Sequence, residues 1–451
     1  DEQAVKAKEN GRISPLFSPD DFFEAGREAA LRFTGREEMA NAVSKALQSG
    51  AICTADHLGA LFCSQAFQGD LLFASLLRRL GYEGSYIPIL SAGQVELENA
   101  TYARGICAHT VPFEKQFFPF FAAKHSVQLA RCAGPVDEEM LKRFCHRYVD
   151  PCEDVHLREA LGRIVSQVYE TKEAGRATSF KEQVTSLGLS LSSLLFGQEG
   201  PLFVYLELEE VIMPLLRKEL EREDSLLYQC LFTPSLRSRF AERIMQDGAP
   251  LSLRFFTTAD DKGRKVPLLL TAEGRLEGTD WRGEKVSYPA DVSSVKALLE
   301  EGKIFPGFFT AAILLFFERG ITWYGGYFQS CYLPEWQSAL AEILEEEGYS
   351  ALAGKIRSYD CKGYISGPMY ALYGTEDFAT PAGPVEFSMG KIDFQRLEEL
   401  MEHTTLWDAH LIGITEMYFD LVGRKERISD WYLRSSREIG CTFQENVIIH
   451  G

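Results

Sequence analysis

The residues best suited to chemistry sit in short polar turns that follow apolar runs. Thr54-Ala55-Asp56-His57-Leu58-Gly59 comes directly after Ala51-Ile52-Cys53. A turn of this kind at a strand end, ahead of a helix, turns backbone N–H groups and a helix N-terminus toward a ligand. His57 can serve there as a general base, a phosphate contact or a metal ligand. The bland alternative is that Asp56 and His57 only cap the next helix. A second polar loop, Ser91-Ala92-Gly93-Gln94-Val95-Glu96-Leu97-Glu98-Asn99, offers small residues for close backbone approach and polar side chains for hydrogen bonds. Ser91, Gly93, Gln94 and Asn99 are its binding candidates. Arg104 can clamp a carboxylate or phosphate with two hydrogen bonds, and His109 can join His57. Gly325, Gly326 and Gln329, in Trp323-Tyr324-Gly325-Gly326-Tyr327-Phe328-Gln329, form a further tight turn. Asp56, His57 and His109 would be a minimal ligand set for a metal-dependent hydrolase, but their spacing matches no metal motif. Cys53 and Cys107 lie in apolar surroundings that suit inert thiols. His403 and His410, near Trp407, read as surface or core residues.

These turns need a scaffold that brings strand ends together. Ala51–Thr54 reads as a buried strand, a helix capped by Ser64 runs to about residue 80, and 85–91 reads as a second strand. Strand, helix, strand in this span is a βαβ unit, which favours a parallel sheet with right-handed crossovers. Loops at the carboxyl ends of such strands collect ligands. Residues 201–206 and 321–324 read as further buried strands. The span 114–196 reads as helix-rich, and 250–288 alternates with period two between glycine turns, as a β-meander does. The first fifty residues are helical. The segment 359–390 is rich in glycine and aromatics, and is followed by helical patterns near 393–403 and 406–421.

Composition narrows the function classes. With 451 residues, 45% of them hydrophobic, the chain can build a large core. A formal charge of −18 disfavours nucleic acid and anionic membranes as partners. Ten cysteines without a CxxC pair suggest buried, reduced thiols. The longest apolar run, about 304–317, is shorter than the ~20 residues that span a bilayer. No targeting signal is read, so a cytoplasmic location is expected. The chain lacks G-x-G-x-x-G after a strand, the P-loop pattern, G-x-S-x-G and H-E-x-x-H.

Several segments fall in the order found in one family. Thr54-Ala55-Asp56-His57-Leu58-Gly59 is similar to a T-G-Q-Q-x-G turn, keeping Thr54 and Gly59 and placing His57 where glutamine stands. Phe203-Val204-Tyr205-Leu206 running into Met213-Pro214-Leu215-Leu216 matches a strand and helix. Pro267–Leu270 followed by Glu273-Gly274-Arg275-Leu276 matches a hairpin. Tyr324-Gly325-Gly326 through Tyr332 is similar to a G-G-P-x-E-x-x-Y loop. Over about residues 50–345 the chain resembles the bacillithiol-biosynthesis cysteine-adding enzymes. That resemblance implies an α/β fold: a Rossmann-like parallel-sheet core with helical and β-meander insertions, followed by a mainly helical C-terminal region. The expected organisation is an N-terminal helical segment (1–50), the core (51–345, with a helical insertion at about 114–200 and a meander at about 250–288) and the C-terminal region (346–451). It also implies a ligase or transferase that joins a group, such as cysteine or another amino acid, to an amine of a small metabolite. His57, Asp56, Arg104 and His109 would be the catalytic candidates. Thr54, Gly59, Ser91, Gly93, Gln94, Asn99, Gly325, Gly326 and Gln329 would bind substrate or cofactor, with ATP or another nucleotide compatible and a homodimer an option. The competing reading is a ligand-binding or scaffold protein on the same fold.

Overall fold

The computed structural model describes residues 2–59, 61–98, 104–110, 114–197, 200–247, 253–375, 377–390, 392, 394–423 and 425–450. At its centre lies a five-stranded parallel sheet. In spatial order its strands are Tyr364–Ser366, Thr322–Gly326, Ala51–Cys53, Tyr86–Ser91 and Leu202–Glu207. In chain order this reads 5-4-1-2-3, so the strand order reverses beside Ala51–Cys53.

Side-chain alternation explains why both faces are covered. Ile52, Leu90, Val204, Leu206 and Trp323 point into one core, which also takes the buried sides of helices Asp20–Thr34, Glu37–Leu47, Leu208–Glu219 and Gln329–Glu346. Cys53, Ile87, Ile89, Phe203, Tyr205 and Tyr324 point into the other, with helices Ser64–Arg79, Val155–Ile164 and Phe180–Phe196. A strand buried on both faces must be apolar at successive positions, which is how these runs read.

Local signals set the helix starts. Asp137 accepts from Met140 N at 2.8 Å, Asp154 from Leu157 N at 3.0 Å and Asp291 from Ser294 N at 2.9 Å. Each such cap is worth about 1 kcal/mol. The expected cap at Ser64 does not form: Cys63 holds that position without a side-chain bond, and Ser64 is the first helical residue. The helix after the fourth strand spans Gln329–Glu346 and contains Pro334 in its second turn.

The meander forms as expected, with strands Phe256–Ala259, Lys265–Leu270, Arg275–Thr279 and Lys285–Pro289 in antiparallel order and Phe305–Pro306 at one edge. Its turns put Gly263, Gly274 and Gly283 at φ of 72°, 75° and 82°, where a side chain would be strained. The helix-rich insertion opens differently from expectation. Glu114–Pro119 is a strand paired with Gly105–Thr110. The C-terminal region carries helices Phe394–His403, Leu406–Leu421 and Trp431–Thr442, and it also supplies the fifth sheet strand and a small sheet of Leu372–Gly374, Ala379–Pro381 and Val447–His450. Buried Gln68 ties it to the core: its Nε2 donates to the carbonyls of Ala371 and Ala382, and its Oε1 accepts from the backbone N–H groups of Tyr370 and Ala371. Every cysteine is a free thiol; Cys331 and Cys441 are exposed, unlike the buried thiols expected. Among the described residues no helix is long and apolar enough to cross a membrane.

Candidate functional site at the carboxyl edge of the sheet

The chain leaves Ala51–Cys53 toward the helix Ser64–Arg79 on one face, and leaves Thr322–Gly326 toward the helix Gln329–Glu346 on the other. Two neighbouring strands whose exits diverge leave a crevice between them, and this is where open α/β sheets bind ligands. The sequence candidates Thr54, Gly325, Gly326 and Gln329 meet there.

They meet mostly one another. Thr54 Oγ1 donates to Gln329 Oε1 at 3.2 Å, and Gln329 Nε2 donates to Trp323 O at 2.9 Å and Gly363 O at 3.3 Å. A Cβ on Gly325 would lie 2.3 Å from Gln329 Oε1, so this glycine makes room for the Gln329 amide. Nothing lies within 4 Å of a Cβ built on Gly326.

The second loop is likewise occupied from within. Glu209, in the first turn of Leu208–Glu219, accepts from Gly93 N at 2.9 Å and Gln94 N at 3.0 Å, so its carboxylate takes the backbone donors expected to meet a ligand. Gln94 Nε2 donates to Pro306 O at 3.2 Å. Gly93 leaves space for the carboxylate of Glu207, which Arg131 Nε approaches to 3.2 Å and Lys181 Nζ to 3.7 Å. Burial raises the pKa of Glu207 against the pull of Arg131. Ser91, opposite Glu207 in the sheet, is fully buried. Asn99 lies outside the described residues.

The Thr54–Gly59 turn continues the parallel pairing, with Leu58 N donating to Ala92 O at 2.9 Å. Asp56 is 1% exposed, and among the described residues its carboxyl oxygens have no partner within good hydrogen-bond geometry, the Asp70 carboxyl, the Tyr205 hydroxyl and the His57 backbone N–H being the nearest polar groups. Its neighbour is Asp70, fully buried on the following helix. Asp70 Oδ2 accepts from Tyr205 Oη at 2.7 Å, and its Oδ1 from Cys53 Sγ at 3.5 Å. Burial, then the charge of Asp70, raises Asp56 far above the ordinary carboxyl range; burial also raises Asp70. Two donors already bond Asp70 and Asp56 is raised further, so the proton of the pair resides on Asp56. Burial pushes both the Cys53 and Cys107 thiols up, so both stay protonated.

His57 is half-buried, and burial followed by the charge of Lys265 lowers its pKa to about 4. It is therefore a neutral imidazole at pH 7. His57, Gly59 and Arg104 line one small cavity of about 10 Å³ with Glu96, Phe121 and Phe180. Gly59, at φ 93°, is needed both for its backbone and because a Cβ would lie 2.6 Å from Phe180. Arg104 has φ 59° and is the only non-glycine residue in the left-handed region among those described. Its Nε donates to Glu98 Oε2 at 2.5 Å and its Nη1 to Phe121 O at 2.6 Å.

His109 is elsewhere. It lies in a buried network where its Nε2 is 3.0 Å from Glu416 Oε1 and 3.2 Å from Tyr432 Oη, and its backbone N donates to Glu386 Oε1 at 2.6 Å. Lys115 pairs with the other Glu416 oxygen. The structure thus unites His57 with Arg104 and Asp56 with Asp70, and sets His109 apart. Among the described residues no group of three His, Cys, Asp or Glu side chains can hold a metal ion.

Sequence reasoning missed Asp70, Tyr205, Glu207, Glu209 and Arg131. A lone acid within Ala66-Phe67-Gln68-Gly69-Asp70-Leu71-Leu72-Phe73 was a usable signal, as was Glu207 at the end of an apolar strand. No protein-family model matches the chain, and neither a curated protein nor a solved structure matches it.

Proposed function

We propose that the chain is a small-molecule enzyme of the ligase or transferase kind, joining a group such as an amino acid to the amine of a small metabolite, with its reaction centre at His57. One observation carries the reading: neutral His57 and strained Arg104 line the same cavity at the carboxyl end of the central strand. An amine that attacks an acyl or carbonyl carbon becomes a strongly acidic ammonium. A weakly basic imidazole suffices to take that proton, and a neutral ring is ready to do so. Arg104, held by Glu98 and Phe121, fixes positive charge beside the developing negative oxygen. The order of segments shared with the cysteine-adding enzymes is in keeping with this chemistry, although His57 stands where they carry glutamine.

The test is a thermal-shift screen with nucleotides, thiols and amino sugars, followed by turnover assays on the hits. A ligand at a hundred times its Kd adds about 2.7 kcal/mol, enough to detect. His57→Ala is expected to lower turnover about a hundredfold or more, the scale of losing one transition-state contact; a fully active variant refutes the assignment. A specific observation favours a second reading, a non-catalytic binding protein. The donors of Gly93 and Gln94 are bonded to Glu209, and Gln329 is bonded across the crevice. Stoichiometric ligand binding without turnover supports that reading.

A further inference from the structure

We infer that the chain has a binding site for a small molecule carrying two or more phosphate groups, in the open cleft on the outer side of Arg104. The cleft has a volume of about 1290 Å³ and is formed by the segments 119–125, 134–137 and 140–148. This is more than the 300–1,000 Å³ typical of small-ligand pockets and leaves room for a nucleotide.

Charge is the first argument. The protein carries 65 acidic against 47 basic residues, yet the cleft is lined by five Lys and Arg side chains, two histidines and a single acid, Asp137. Asp137 is engaged in capping its helix. Lys142 and Arg143 are balanced by Glu138 and Glu139 one turn earlier. Lys124, His146 and Arg147 are exposed, and among the described residues none of them makes an ion pair with a carboxylate; Arg147 lies 5.1 Å over the Tyr148 ring. A concentration of cations against the sign of the whole molecule focuses anions into the cleft. Lys124 and Arg147 supply the fixed positive charge that a di- or triphosphate would meet there.

Backbone geometry is the second argument and is independent of charge. His146, Arg147 and Tyr148 lie on a π-helical turn, Cys145–Val149, closed by Asp150 N donating to Cys145 O at 2.9 Å. Such turns are less stable than α-helix and recur at functional sites. Arg104, in a left-handed conformation that disfavours a side chain, also lines the cleft. Two unfavourable backbone arrangements therefore face the same basic cleft. Phe120 and Phe144, stacked at 4.4 Å between ring centroids, make its floor apolar, with Tyr148 against Phe144 at 5.3 Å. The combination is a phosphate-binding rim over an aromatic floor.

The site does not depend on the chemistry proposed at His57, because it is read by binding alone. Titration calorimetry on the full chain in 150 mM KCl, with pyrophosphate, ATP and adenosine, is the experiment. Pyrophosphate and ATP are expected to bind and to weaken at 500 mM KCl, while adenosine does not bind. Equal affinity for the two anions identifies phosphates alone as the ligand; ATP binding at least tenfold tighter identifies a nucleotide. The double variant Lys124→Glu/Arg147→Glu is expected to lose at least thirtyfold in affinity. Lys172→Glu/Lys362→Glu, which changes net charge equally outside the cleft, is expected to stay within twofold. Both pairs are exposed, and an unchanged melting temperature verifies folding; Arg147→Gln replaces the double variant if it does not fold. The inference is overturned if neither anion binds at millimolar concentration, if the cleft variant binds like wild type, if the control loses as much, or if adenosine binds as tightly as ATP.

Discussion

Replacing His109 by glutamine tests whether the buried network around it is held by charge. The ring is 2% exposed. Burial pushes its pKa down, but hydrogen bonding and the charges of Glu386 and Glu416 push it up by more, to about 9 from an ordinary 6.5. The ring's own bond is to Glu416; Nδ1 lies 3.4 Å from Glu386 Oε1, whose carboxylate is oriented by the backbone N–H of His109. A group whose folded pKa is raised stabilises the fold fully below its unfolded pKa and loses that contribution as the pH rises through the folded value. For His109 the window is 6.5 to 9. A gap of about 2.5 pH units corresponds to roughly 3 kcal/mol. Glutamine cannot ionise, so the deficit of His109→Gln should be about 3 kcal/mol larger at pH 6 than at pH 10. For a chain of this length unfolding in one step, with about 1 kcal/mol per degree of unfolding entropy, that is a change of about 3 °C in the melting-temperature difference. The assay is thermal unfolding of both proteins at pH 6, 7, 8, 9 and 10. Taking the difference cancels groups common to both, including buried Glu318, which is raised to about 8 by burial and by Glu219. A deficit that stays constant across this range refutes a charged imidazole.

Three other substitutions probe the fold and the site. Arg319→Ala should destabilise by about 3–5 kcal/mol, because the fully buried guanidinium bonds Asp21 at 2.8 and 2.9 Å and Glu219 at 2.6 Å and its loss strands their charge; equilibrium denaturation measures it. Gly93→Ala places a Cβ 2.0 Å from Glu207 Oε1, and overpacking there should cost about 1–3 kcal/mol, read as a lowered melting temperature. Asp70→Asn should stabilise the protein relative to wild type as the pH rises. Asp70 has a raised folded pKa, so its contribution is complete below about 3.8 and is lost as the pH rises through the folded value, whereas asparagine stays neutral. Parallel melting temperatures of wild type and Asp70→Asn from pH 4 to 9 would contradict this.

Long apolar runs made the first four sheet strands legible, because a strand buried on both faces has to be apolar throughout. Glycine turns made the meander legible for an equally local reason. Tyr364–Ser366 was not legible: three residues at the sheet edge, inside a glycine-rich segment, generate no period. The strand Glu114–Pro119 begins with Glu-Lys-Gln and has no clean alternation, so it merged with the helices that follow. For the site, the turn 54–59 and the glycine pair at 325–326 were placed correctly at the carboxyl edge, since strand-end position is a local property. What fills them was not visible. Asp56 meets Asp70 only because of how one helix packs, and Glu209 reaches Gly93 across 116 positions of the chain. His109 was grouped with His57 on residue type alone, while its partner Glu416 lies 307 positions away.

The two buried acid systems are stabilised in different ways. Glu416 has Lys115 and His109 beside it and is held well below the usual carboxylate range, although burial opposes this. Such a cluster is fixed, charged and fully paired, which is what a structural tie between Gly105–Thr110 and the C-terminal helices requires. Among the described residues Asp56 and Asp70 have no cation; their neighbours are a phenol and a thiol, both kept protonated by burial. Two carboxyls in that position cost more to bury than an asparagine or a leucine of similar size. Asp56 comes from the turn that leaves Ala51–Cys53, where the strand order reverses, and Asp70 from the helix Ser64–Arg79 that follows. An acid pair that shares a proton and a cluster fixed by opposite charges are thus two different solutions to burying carboxyls in one fold.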